Sequence, residues 1–184
     1  MRGSGLSILV LILLLVGCET FTFQQYSLSQ RNIDTIRETM ALGGVSTLAV
    51  GEFTATRPSQ SEIGCGLNGE ISTPQEVTFV KYIREAIIDE LKKARVYSLD
   101  QIEAGRVITG NLNSVKLNTG SGSWDINITI TFKTGKSFTV AESYQFDDVS
   151  CEQSAAAFNP AVQELIYKIF TNPTFRENFG VSGN

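Results

Sequence analysis

Trp124-Asp125-Ile126-Asn127-Ile128-Thr129-Ile130-Thr131-Phe132 alternates apolar and polar residues without a break. A period of two sends successive side chains to opposite faces of a sheet, so the stretch reads as a β-strand. One of its faces is buried and the other polar, the pattern of a sheet covered on one side only. The rest of the chain must therefore supply neighbouring strands and a layer to cover Trp124, Ile126, Ile128, Ile130 and Phe132.

Both neighbours are legible. Thr134-Gly135-Lys136 is a turn, and residues 137–146 carry Phe138, Val140, Tyr144 and Phe146 in one phase, with Glu142 as the exception in that apolar series. Upstream, the polar loop Asn118-Thr119-Gly120-Ser121-Gly122-Ser123 follows residues 106–117. There Ile108 and Leu112 share one phase, Val115 and Leu117 the other, and the change at Asn113-Ser114 predicts a bulge.

Working further back, Thr73-Pro74-Gln75-Glu76 reads as a helix start, with Thr73 as cap, Pro74 at the first helical position and Glu76 closing a capping box. Val77, Val80, Ile83, Ile87, Leu91 and Ala94 then recur at three- and four-residue spacing as a core-facing stripe. Residues 57–73 read as a loop carrying Cys65, and residues 46–55 as a first strand. Leu48 and Val50 lie on one phase of that strand, Phe53 and Ala55 on the other, with a bend expected at Gly51. After the last strand, Asn159-Pro160 is the expected start of a second helix, with Val162, Leu165, Ile166, Ile169 and Phe170 on its apolar side. Asn172-Pro173 stops it, and Phe175 and Phe179 are expected to pack back as a short final turn.

The element order is thus β-α-β-β-β-α. A right-handed crossover makes the first two strands parallel, and the short connections make the following pairs antiparallel. The expected architecture is an α+β two-layer sandwich: a mixed four-stranded sheet with two main helices on one face. Cys65 follows the first strand and Cys151 the fourth, so both fall at one end of this sheet.

The N-terminus carries a different signal. Arg2 precedes an apolar run from Leu6 to Val16 that ends in Leu15-Val16-Gly17-Cys18. The run is too short to span a bilayer as a helix and has the length of a signal-peptide core. These residues resemble the bacterial lipoprotein signal peptide, in which an aliphatic residue and a small residue precede the cysteine that is acylated and becomes the new N-terminus. The resemblance implies that residues 1–17 are a signal peptide, that Cys18 is the lipidation site, and that membrane lipid is a partner through its acyl chains. Glu19 is not the aspartate that favours inner-membrane retention in the enterobacterial version of the family, which points to an outer-membrane, periplasm-facing protein. Residues 18–45 are then expected to hold the lipid anchor, a tether and a short helix over residues 29–41, and residues 46–184 a single α+β domain.

Assigning Cys18 to lipid leaves Cys65 and Cys151 of the three cysteines. In an oxidising compartment such a pair reads as a disulfide, the alternative being two separate buried thiols. The net charge of -4 and the absence of a Lys/Arg cluster disfavour nucleic acid as a partner.

The chain holds no histidine, which removes the commonest general base and any His-based metal site or triad. No Cys-x-x-Cys, Walker, dinucleotide or nucleophile-elbow pattern is present. Glu142 lies in the apolar phase of its strand, open to reading as an acid catalyst or as half of an ion pair with a helix lysine or arginine. Asp147-Asp148 with Glu152 lacks the ligand spacing of a calcium loop and reads as a solvated turn. Neither a metal nor a cofactor is expected, and no enzyme activity.

Beyond the lipobox, the order of elements is similar to the compact α/β domains of bacterial envelope lipoproteins, among them auxiliary lipoproteins of lipid and lipopolysaccharide export systems and TolB-N-terminal-like domains. That resemblance implies a binding or assembly factor for an envelope complex with an envelope protein as partner. The candidate partner-binding face is the polar side of the sheet, centred on Asp125, Asn127, Thr129 and Thr131. The alternatives are a carboxylate-dependent cell-envelope hydrolase and a purely structural envelope lipoprotein.

Overall fold

The computed structural model describes residues 19–57, 60–66, 69–102 and 106–179. The lipobox, Cys18 included, lies outside the described residues.

The alternating stretch is strand β6 (Ser123–Phe132), whose even-numbered residues from Trp124 to Phe132 are all buried. It lies between β5 (Val107–Asn118) and β7 (Ser137–Gln145), antiparallel to both, while β2 (Ala49–Ala55) pairs parallel with β5 on the far side. The sheet order is β2-β5-β6-β7. Both expected irregularities are present, as register shifts between Val50 and Phe53 and between Leu112 and Ser114. The expected α+β class and four-stranded mixed sheet are thus the observed ones.

Helices α2 (Phe79–Ala94) and α3 (Cys151–Thr171) cover the apolar face, and α1 (Gln30–Leu42) packs against both. Ser29 caps α1 by accepting from the Asn32 amide at 3.4 Å, and the chain leaves the helix at Gly43-Gly44 as expected, Gly44 being left-handed. Two helix starts differ from expectation. Pro74–Glu76 forms only a 3-10 turn, because Gln75 and Glu76 take left-handed backbone angles of φ 55° that an α-helix cannot continue. The Thr73 hydroxyl bonds the Ser61 carbonyl at 3.2 Å and the Val77 carbonyl, so it ties down the loop and caps no helix. Thr78 is the N-cap of α2.

The last helix starts at Cys151, eight residues before the Asn159-Pro160 expected to open it. Ser150 is its cap, accepting from the Gln153 amide at 3.3 Å, and Ala155, Ala156 and Ala157 propagate it. Pro160 sits inside the helix, where it removes one backbone hydrogen bond. The neighbouring Asn159 side chain is buried and donates to the Gln25 carbonyl at 3.1 Å. Helix α3 stops at Asn172-Pro173 as expected, and α4 (Pro173–Asn178) folds Phe175 into the core beside Phe132, Phe170 and Phe179.

The stretch expected as a loop, residues 57–73, contains the hairpin β3 (Glu62–Cys65) and β4 (Gly69–Ser72). The stretch expected as a tether is likewise part of the fold. β1 (Glu19–Thr22) pairs parallel with β4 to complete a three-stranded sheet, β1-β4-β3. Just beyond β1, Phe23 is buried and stacks on Phe158 with ring centroids 4.2 Å apart, inside a cluster with Phe79, Tyr82 and Trp124. Four hydrogen bonds fix the residues after it. Tyr82 donates to the Gln24 carbonyl, Asn159 to the Gln25 carbonyl, Tyr26 to Glu90, and Gln163 to the Ser27 carbonyl.

Cys65 and Cys151 form a disulfide, their Cα atoms 5.6 Å apart. It joins the end of β3 to the first residue of α3, so the two cysteines do lie at one end of the molecule. The β5–β6 turn is at the same end, since the Phe146 amide donates to the Gly122 carbonyl at 2.8 Å. The β6–β7 turn marks the opposite end, where Thr134 donates to Asn178 of α4 at 3.2 Å.

Candidate functional site

The uncovered face of the sheet carries Asp125, Asn127, Thr129 and Thr131, each half-buried as expected for the open side of a central strand. Adjoining strands extend it with Thr54, Asn111, Asn113, Thr139 and Ser143; the side chains from Thr54 through Asn113 to Thr139 form a hydrogen-bonded chain across all four strands, and Asp125 with Ser143 forms a second, separate group. Thr54 donates to Asn111 Oδ1 at 3.0 Å, Asn111 Nδ2 to Asn113 Oδ1 at 2.7 Å, and Asn113 Nδ2 to Asn127 Oδ1 at 2.6 Å and Thr129 Oγ1 at 2.9 Å. Thr129 and Thr139 share a bond at 3.0 Å. Asp125 accepts from Ser143 at 2.6 Å and from Asn118.

The bulge makes this network possible. The ladder skips Asn113 between Leu112↔Ile128 and Ser114↔Asn127, so Asn113 stands between two rungs and reaches both Asn127 and Thr129. The face that results is stiff. Its amides and hydroxyls hold one another in place, and a partner meets donors and acceptors that need little ordering on contact. Thr131 stands apart from this chain of bonds; its backbone carbonyl accepts from the Thr109 hydroxyl at 3.3 Å.

Two carboxylates lie on the helix side of the sheet. Glu142, buried in β7, pairs with Lys168 of α3 through Oε2 at 2.8 Å, and the same ammonium donates to the Ala141 carbonyl at 3.2 Å. This is the ion-pair reading of Glu142. Glu90 was not singled out by the sequence reading, although its signal is present: Ile83, Ile87, Glu90 and Ala94 follow one helical stripe. It is fully buried and accepts at Oε1 from the Tyr26 hydroxyl at 2.7 Å and the Ser29 amide at 2.8 Å. Burial pushes its pKa up, against the hydrogen bonds from Tyr26, Ser29 and Asn32 that favour the anion. Burial first, and then the bond to Glu90, hold the Tyr26 phenol well above its ordinary range, so it remains a donor. Glu90 Oε2 and the nearby Asn32 Oδ1 have no protein hydrogen-bond partner.

Asp148 Oδ1 accepts from the Ser150 amide at 2.9 Å and so prepares the start of α3. Among the described residues no group of three or more acidic, cysteine or histidine side chains is placed to hold a metal ion. The Gly/Ser loop is a tight turn, closed by the Gly122 amide on the Asn118 carbonyl at 2.9 Å. Among the described residues no helix is long and apolar enough to cross a membrane.

No protein-family model matches the chain, and no curated protein matches it. Among solved structures, the crystal structure of protein XCC0632 from Xanthomonas campestris, of family DUF330, is similar in fold. The superposition has a TM-score of 0.53 at 10% identity and covers 72% of this chain and 86% of that one. At that identity the likeness concerns the fold alone.

Proposed function

We propose that this protein is a lipid-anchored accessory factor of the bacterial envelope, held by acylated Cys18 at the periplasmic side of the outer membrane, where its polar sheet face binds an envelope protein. The observation that carries the reading is the four-stranded network centred on Asn113, Asn127 and Thr129. A large face of fixed donors and acceptors, backed by a disulfide-clamped core, is suited to recognition. The hydrolase alternative gains nothing from Glu142, whose charge is matched by Lys168.

The test is co-purification from detergent-solubilised envelope with chemical cross-linking. The native protein is expected to recover one reproducible partner, and Thr129→Arg, which places a long cation in the middle of the face, to lose it while the melting temperature stays near the native value. Recovery of the same partner by both proteins removes the face from the reading. Mass spectrometry of the mature N-terminus tests the anchor separately.

A further inference from the structure

The strand β1 begins one peptide bond after Cys18, and this bears on how an anchored domain would stand. Resting on the lipid-anchor reading above, we infer that the disulfide end of the domain is a membrane-contacting surface, seated on zwitterionic phospholipid headgroups, with the polar sheet face standing upright from the bilayer.

The chain of positions is short. Glu19 pairs with Gly69, Gly69 pairs with Cys65, and Cys65 is bonded to Cys151 at the start of α3. β1 then runs away from this end, with Glu19 its residue nearest the disulfide. A trans peptide places neighbouring Cα atoms about 3.8 Å apart. The anchor point is therefore one Cα–Cα step from a paired strand. A ten-residue flexible linker would give a reach of about 18 Å and free rotation; here the first paired residue is Glu19 itself.

The β5–β6 turn with Ser121 and the β7–α3 connection with Val149 share this end, and both residues are exposed. Asp147, Asp148 and Glu152 are exposed beside Val149. These carboxylates repel anionic lipid and complement the ammonium of a zwitterionic headgroup. The anchoring is then left to the acyl chains, while charge selects the lipid beneath.

The inference is tested on the processed, acylated protein reconstituted in vesicles of phosphatidylethanolamine and phosphatidylcholine. A benzophenone amino acid is placed at Ser121, at Val149 or at Thr134 on the far turn. Phospholipid adducts are expected several-fold more often from Ser121 and Val149 than from Thr134. Adding phosphatidylglycerol should lower both yields at low salt, and a ten-residue Gly/Ser insertion between Cys18 and Glu19 should erase the bias. Equal yields at both ends, or no lipid adduct at any position, with Cys18 shown acylated by mass spectrometry, overturn the seated orientation and leave the anchor intact. An unacylated Cys18 overturns the anchor reading and this inference with it.

Discussion

Phe23 stacks on Phe158 with ring centroids 4.2 Å apart and planes inclined by 14°. One ring comes from the N-terminal segment and the other from the middle of α3, so the contact ties that segment to the hydrophobic core through Phe23. Replacing a buried Phe by Ala in a packed core costs about 3–5 kcal/mol. Phe23→Ala is expected to lower the unfolding free energy by that amount, read as a lower urea midpoint at an unchanged denaturant slope. A midpoint within error of the native one would mean that the segment lies outside the core, and would remove the basis for the rigid stem at the membrane.

That stack also marks where the sequence stops being legible. The β5-β6-β7 meander was readable because each strand buries one face, which writes hydrophobicity with a period of two into Ile126, Ile128 and Ile130. β3 and β4 left no such trace. They are four residues long, carry Gly64, Glu62, Gly69 and Glu70, and are held by pairing with one another and by the disulfide. The polar face was visible from the same alternation that gave β6. Its centre was not, because Asn113 joins the network only through a register shift that a pattern locates but cannot aim. The capping-box pattern at Thr73 failed for a local reason: Gln75 and Glu76 turn left-handed, and a second threonine five residues on takes the cap.

Glu90 makes stability depend on pH. Its folded-state pKa is raised by burial, so the folded protein holds the proton more tightly than the unfolded chain does. Stability from this group is therefore full below the ordinary carboxylate pKa and declines as pH rises from there to the folded value, then levels off. Glu90→Gln keeps an oxygen for Tyr26 and Ser29 and removes the titration. Its stability relative to the native protein should rise with pH across that window in urea titrations. A constant difference from acid to neutral pH would show that Glu90 ionises in the fold as it does in the open chain.

The disulfide closes a loop of 86 residues in sequence separation. In the chain-entropy model a loop of that length contributes about 4–5 kcal/mol, as an upper value. Cys65→Ser with Cys151→Ser should lose a large part of this, and hydrogen exchange should rise first in β3, β4 and the first turn of α3. The β5–β6–β7 meander should keep its protection until global unfolding. Uniform loss of protection would show that the clamp acts only on the unfolded chain. In non-reducing peptide maps the native protein should give one Cys65-to-Cys151 peptide, and two alkylatable thiols would contradict the bond.

Glu142 and Lys168 separate the binding and hydrolase readings. Glu142 is 7% exposed and Lys168 48%, so the carboxylate has left water while the ammonium has only half done so. Removing the cation leaves a buried acceptor without its partner, at a cost of about 1–3 kcal/mol. Solvent around Lys168 weakens the pair and places the expected loss toward the lower end. Lys168→Met should therefore destabilise more than the double variant Glu142→Leu/Lys168→Met, because the second change removes the stranded charge. Glu142→Gln, which keeps an oxygen for the ammonium, should lower the melting temperature slightly and leave envelope phenotypes as they are. If instead Glu142→Gln abolishes the phenotype in a protein that remains folded, the carboxylate acts chemically, and the binding reading must yield to the hydrolase.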